Sequence, residues 1–200
     1  MSDESQMPRP RVETERLIVE MPTVIDAERT RSFYERNREH FRPWEPDHGD
    51  FIFTHEFWER VLPTYLDEYR NGMAMRVVLR LKGDPEGPII GFIHFTQFAH
   101  GPLKSCTFGC NLDERAVGNG YMNEAAGAGI AYLFDRFNLH RINAFYRPTN
   151  IRSAKMLRRV GFQIEGYVRD YLFVTGRWRD HITCGLINPG HERLAENFGA

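Results

Sequence analysis

The chain has 200 residues and a mass of 23.4 kDa, enough for one domain with its own core and no metal or disulfide staple. Hydrophobic residues make up 42% and charged residues 26%, and no apolar run approaches the roughly 20 residues of a membrane helix, so membrane-spanning, collagen-like and disordered classes are excluded. Net charge is −1, and the three cysteines, Cys106, Cys110 and Cys184, contain no CxxC pair, which argues against a disulfide framework and a zinc ribbon.

The opening residues are polar and carry no apolar signal core, so residues 1–11 read as a flexible tail and the expected location is cytoplasmic. The first strand is expected over Thr14 to Pro22 (TERLIVEMP), followed by a helix over about 24–40 with Ile25, Ala27, Phe33 and Tyr34 at helical spacing. RPWEPDHG (42–49) is a loop. Thr54 to Asn71 reads as a second helix stopped by Gly72, with Pro63 as a potential kink. The period then changes to strand: MRVVLRL (75–81), PIIGFIHFTQF (88–98) and CTFGCNL (106–112) form an antiparallel meander. ERAVGNGY leads into a helix over about 121–137, whose small residues Ala125, Gly127, Ala128 and Gly129 point to close packing. A strand (140–146), a short helix (151–160) ended by Gly161, and a hairpin around TGRW complete the order β-α-α-β-β-β-α-β-α-β-β. Residues 189–200 read as a C-terminal tail.

Charge is unevenly spread. Residues 1–140 carry 16 basic and 22 acidic side chains, whereas residues 141–180 carry nine basic and three acidic. Whether this polarity persists in space is left open by sequence. Arginine outnumbers lysine 23 to 3, which suits recognition of phosphate by planar forks.

A strand delivering a glycine-rich loop to a helix N-terminus makes an anion site, because the first backbone N–H groups lack intrahelical partners and the helix dipole favours negative charge. AVGNGYMNEA is such a segment, or else an ordinary turn. It is no Walker loop, since no Gly-Lys-Ser/Thr follows, and the dinucleotide glycine spacing is absent. His94 and His100 give no metal signature and no GxSxG is present. No metal and no direct nucleic-acid contact are expected.

With TERLIV, FRPWEP, the glycine loop, TNIRSAKMLRRVGF, EGYVRDYLF and GRWRDH in one order, residues 12–187 resemble the Gcn5-related N-acetyltransferase (GNAT) superfamily, and more narrowly its ribosomal-protein alanine N-acetyltransferases of the RimJ/RimL type. The resemblance implies a single α+β (mixed α/β) domain over 12–188, built on a central, mostly antiparallel, splayed sheet flanked by helices. It implies acetyl-CoA as cosubstrate and direct transfer of acetyl to an amine, the acceptor being the α-amine of an alanine-initiated, ribosomal protein. A small-molecule amine, or a non-catalytic acyl-CoA-binding role, shares the same cofactor features.

For the site, the resemblance implies that the loop Val117, Gly118, Asn119, Gly120, Tyr121 and Met122 binds the pyrophosphate through backbone amides. Arg115-x-x-Gly118-x-Gly120 fits the family's Q/R-x-x-G-x-G/A literally. The preferred register instead puts Val117 in the Q/R place, Gly120 as the central glycine and Met122 as the last small residue, with Arg115 as a nearby charge. Strand 106–112 is expected to splay from 141–146, so that Cys110, Asn111 and Leu112 meet the pantetheine and thioester. Asn150 would orient the pantetheine amide, cap the following helix, or both. Ser153 would protonate the leaving thiolate, Met156 standing where many members carry Tyr; its other reading is a capping hydroxyl. Glu45, Asp170 and the Asp180-His181 pair are the candidate bases, with Glu45 preferred. An acidic mouth for the acceptor is expected from Glu45, Asp47, Asp50, Glu56, Glu59, Asp67 and Glu68.

Overall fold

The computed structural model describes residues 7–191. Within them, β1 (Arg11–Glu13), β2 (Leu17–Glu20), β3 (Met75–Leu81), β4 (Gly91–Ala99), β5 (Ser105–Leu112), β6 (Arg141–Tyr146), β7 (Gln163–Val174) and β8 (Arg177–Ile187) form one sheet in the order β1-β2-β3-β4-β5-β6-β8-β7. Every neighbouring pair is antiparallel except β5 and β6. A parallel pair needs a long crossover. Here that crossover is α5 (Tyr121–Phe137). The other helices are α1 (Ala27–Arg36), α2 (Arg38–Phe41), α3 (His55–Val61), α4 (Thr64–Arg70) and α6 (Ile151–Val160).

The helices divide between the two faces of the sheet. On one face α1 packs Phe33 and Tyr34 on Phe92, with centroids 5.3 and 5.6 Å apart, and Tyr34 stacks on Trp58 of α3. On the other, α5 buries Ala125, Ala126 and Gly129, and a Cβ on Gly129 would stand 3.5 Å from Phe95. The small residues thus set how near α5 lies to the sheet. Arg80, 2% exposed, pairs with Glu20 and Asp26 and ties β2 and β3 to the start of α1.

Three boundaries differ from the sequence reading, each for a local reason. The strand expected from Thr14 begins at Leu17, because Thr14 and Leu17 bond each other through N–H, hydroxyl and carbonyl in a turn. The three residues before that turn form the additional edge strand β1, too short to show a period. The first helix breaks at Asn37, whose amide donates to Phe33 O and accepts from Glu114 N, 77 residues on. The second helix divides at Pro63, which has no N–H to continue the ladder. The expected tails fall mainly on residues 1–6 and 192–200, outside the described residues; Pro10 already bonds Met21 N along the sheet.

Candidate active site

The glycine loop is held from both sides. At its start, Asp113 caps a short 3-10 turn by accepting from Arg115 N at 2.9 Å and pairs with Arg36 at 2.5 Å. Burial opposes its ionisation, but these partners outweigh it and keep the Asp113 carboxyl below the usual carboxylate range. At its end, Gly118 (φ +91°) and Gly120 (φ +79°) occupy the left-handed region that side chains rarely adopt. Gly120 caps α5 with no side-chain bond, and the N–H groups from Gly118 to Asn123 have no acceptor among the described residues. Nothing lies within 4 Å of where a Gly118 Cβ would stand. The result is an open cradle of donors on a 17-residue helix, a fit for the pyrophosphate of a coenzyme A thioester. Met122 is a core side chain at 7% exposure, and Asn119 folds under the loop to Ala116 O. Val117, expected among the donors, is not one of them: its N–H closes the 3-10 turn on Glu114 O, so the free donors begin at Gly118.

Sequence reasoning missed Arg16. Its guanidinium bonds Glu124 and donates to Asn119 O at 3.0 Å, over the Tyr121 ring. It supplies a positive charge at the loop, where Arg115 makes no side-chain bond among the described residues. The available signal was TERL itself, whose charge inside a strand-forming segment had no assigned task.

The expected splay is present. β5 pairs with β4 over Ser105–Leu112 but with β6 only from Ser105↔Arg141 to Phe108↔Ala144. Past Phe108, the edge of β5 carrying Cys110, Asn111 and Leu112 faces a gap. Burial, with the charge of Glu45 adding to it, pushes the Cys110 thiol up to about 12, so it stays neutral. Below the gap, Asn150 caps α6 by accepting from Ser153 N at 3.1 Å. The bond uses the Ser153 amide; the Ser153 hydroxyl has no partner among the described residues and its capping alternative is absent. Gly161 (φ +106°) ends α6, and Phe162 folds back onto Leu157 O.

Across the gap lies Glu45. Trp44 N and Glu45 N both bond Phe41 O, and Arg147, one residue past β6, bonds Pro43 O while its guanidinium lies 5.5 Å from the Trp44 ring centroid. This clamp carries the 42–49 loop to the end of the splay. The Glu45 side chain is 22% exposed in a cleft of about 420 Å³ lined by Tyr34, Phe41, His48, Ile52, Phe53 and Thr175. Burial raises its pKa to about 7, and His48 Nε2 is 3.9 Å away. The other candidate bases sit elsewhere: Asp180 is taken up by Tyr167 OH and Asp170 N on the hairpin, and His181 is buried with Nδ1 3.0 Å from Arg179 O. His94 stacks on Phe92, its pKa pushed down to about 3 by burial, and His100 bonds Gly72 O.

The acidic mouth is smaller than the sequence suggests. Asp50 pairs with Arg38, Glu68 with Arg76, and Glu59 faces His55. Of the acids expected there, Glu45 and Asp47 remain in the cleft without an arginine partner.

Fold and site together define a transferase that takes its acyl group from a phosphate-bearing carrier and passes it across a split sheet. The chain belongs to the acetyltransferase (GNAT) domain family, whose model matches residues 16–163. It is an acetyl-CoA-dependent N-acetyltransferase. It is 36% identical to the Escherichia coli [ribosomal protein uS5]-alanine N-acetyltransferase over 186 residues, 92% of this chain and 94% of that protein. The crystal structure of the ribosomal-protein-S5-alanine acetyltransferase from Vibrio fischeri superposes with a TM-score of 0.85 at 34% identity, covering 90% of this chain and 97% of that one. RimJ of Mycobacterium smegmatis, solved in complex with CoA-disulfide, gives 0.80 at 25% identity, covering 95% and 94%.

Proposed function

We propose that the protein acetylates the N-terminal α-amine of an alanine-initiated protein of the ribosome, in the cytoplasm, with residues 12–188 as the catalytic domain. What supports this reading is a half-buried carboxylate, Glu45, in a cleft on the loop that Arg147 ties to the end of β6, near enough for its charge to act on Cys110, in a chain similar along nearly its whole length to a uS5-alanine N-acetyltransferase.

Acetyl-CoA supplies an activated acyl group. Backbone N–H groups from Gly118 to Met122 hold its pyrophosphate, Asn150 presents its amide to the pantetheine, and the free edge at Cys110, Asn111 and Leu112 aligns the thioester. A backbone N–H there stabilises charge developing on the carbonyl oxygen. Glu45, with a pKa of about 7, receives the proton lost by the amine. Ser153, its hydroxyl uncommitted, gives a proton to the departing thiolate and takes one back from solvent, while Glu45 releases the amine's proton to solvent.

The test is incubation with acetyl-CoA, a library of N-terminal peptides and a set of small amines, read by mass. Acetylation of alanine-initiated peptides supports the reading. Activity confined to small amines replaces it with a small-molecule acetyltransferase, and binding without turnover on either set leaves an acyl-CoA-binding module.

A further inference from the structure

The basic excess of residues 141–180 divides: Arg152, Lys155, Arg158 and Arg159 lie on α6, Arg141 pairs with Glu165, and three of the remaining arginines belong to the end of β6 and the hairpin. Arg147, Arg177 and Arg179 form no ion pair among the described residues, although most other arginines of the sheet and of α1 have carboxylate partners. Sheet register puts the hairpin pair on one side. Phe145 lies opposite Thr183, and Leu172 and Val174 lie opposite Arg179 and Arg177, so alternation gives Phe145, Thr183, Arg179 and Arg177 a common face. Tyr146 and Cys184 belong to the opposite face, where they line a cavity with α6. Arg147 reaches the Glu45 loop through Pro43 O and Trp44. Arg179 donates at 2.7 Å to Thr175 Oγ1, and Thr175 lines the Glu45 cleft. Desolvation first, then the charges of Arg177 and Arg147, lower the Arg179 pKa. Arg147 and Arg179, held by neutral acceptors, and Arg177 on the same face as Arg179 are a repulsive arrangement that an anion relieves.

We infer that Arg147, Arg177 and Arg179 form an anion subsite on the acceptor side of the cleft, which binds a carboxylate or phosphate borne by the acceptor chain a few residues beyond its reacting amine. The inference rests on the peptide-acceptor reading and deepens it. The Glu45 side of the cleft receives the amine, and the hairpin side receives a negative group downstream. The favoured acceptor is therefore an N-terminus with an acidic or phosphorylated residue near its start, not a uniformly basic tail.

The experiment uses the full chain at saturating acetyl-CoA with alanine-initiated peptides that differ only in carrying Glu, Gln, Lys or phosphoserine at one of positions 3 to 6. At the best position the Glu peptide should exceed the Lys peptide about fivefold or more in kcat/KM, and the preference should shrink as salt rises. Arg177→Glu, which removes a side chain with no hydrogen bond among the described residues, and Arg179→Glu should each invert the Glu-to-Lys preference. Retention of the thermal shift given by acetyl-CoA shows that each variant is folded. A larger rate for phosphoserine than for Glu identifies phosphate as the anion, and the reverse identifies carboxylate. Equal rates for Glu, Gln and Lys peptides in the wild type, or an unaltered preference in both folded variants, overturns the subsite. A wild type that acetylates no peptide removes the peptide reading, and the subsite with it.

Discussion

Arg16 and Glu124, 108 residues apart, form a two-point ion pair, with Nε and Nη2 each 2.7 Å from Oε2. Thr14 Oγ1 and Arg16 N also donate to this carboxylate, at 2.6 and 2.8 Å. Burial opposes ionisation of Glu124, yet these partners hold its pKa below the usual range, so a full negative charge sits in the first turn of α5 beside the proposed phosphate cradle. Arg16 balances that charge and draws Asn119 O to itself. Arg16→Ala should raise KM for acetyl-CoA about tenfold with little loss of kcat at saturation, the mark of lost ground-state binding. Adding Glu124→Gln should recover part of the affinity. An unchanged KM in Arg16→Ala would show that the pair only joins β1 and β2 to α5.

Gly120→Val should abolish the acetyl-CoA thermal shift. At φ +79° a β-branched residue is strained, and its side chain would meet Arg16 Nη2, 3.5 Å from the Cβ position. Ligand at about 100 Kd should add roughly 2.7 kcal/mol to the wild type. Gly118→Ala separates the two causes, since its Cβ meets no protein atom but enters the cradle. A normal shift in a folded Gly118→Ala variant would place the phosphates elsewhere.

Glu45→Gln tests the base through pH. The active form is the carboxylate, so kcat/KM for an alanine-initiated peptide should rise with pH through about 7 in the wild type. In the variant that limb should be lost and the residual rate should follow the amine, whose pKa is about 8. Stability moves the other way. A carboxyl whose folded pKa is raised from 4.5 to about 7 contributes stability below pH 4.5 that is lost as pH rises through 7. Glu45→Gln should therefore melt like the wild type near pH 4 and be more stable at pH 8, by about 1–3 kcal/mol. Matching melting curves at both pH values would mean that Glu45 titrates normally.

Ser153→Ala and Asn150→Ala should part company. The Ser153 hydroxyl holds nothing in the protein, so its loss should leave the melting temperature in place and lower kcat, by about 10²-fold where no water substitutes. Asn150 is the cap of α6, and its removal should cost about 1 kcal/mol of stability together with a higher KM for acetyl-CoA. Equal kcat for Ser153→Ala and the wild type would remove Ser153 from the chemistry.

Local chemistry made much of this protein legible in advance. Gly120 and Gly161 mark the start of α5 and the end of α6, because left-handed backbone at a helix end is a short-range requirement. The apolar runs of β3 and of the first halves of β4 and β5 report strands covered on both faces. The family pattern over 12–187 is a property of the string itself. What sequence could not determine is which distant charges meet. Asp50 and Glu68 counted towards an acidic mouth until folding placed Arg38 and Arg76 beside them. Arg16 had no task until β2 lay beside α5, and Glu45 was one carboxylate among several until Arg147 drew its loop over the splay and burial raised its pKa. Backbone conformation is decided within a few residues, whereas the energy of a charge depends on every group and every layer of solvent around it, and only the packed chain fixes those.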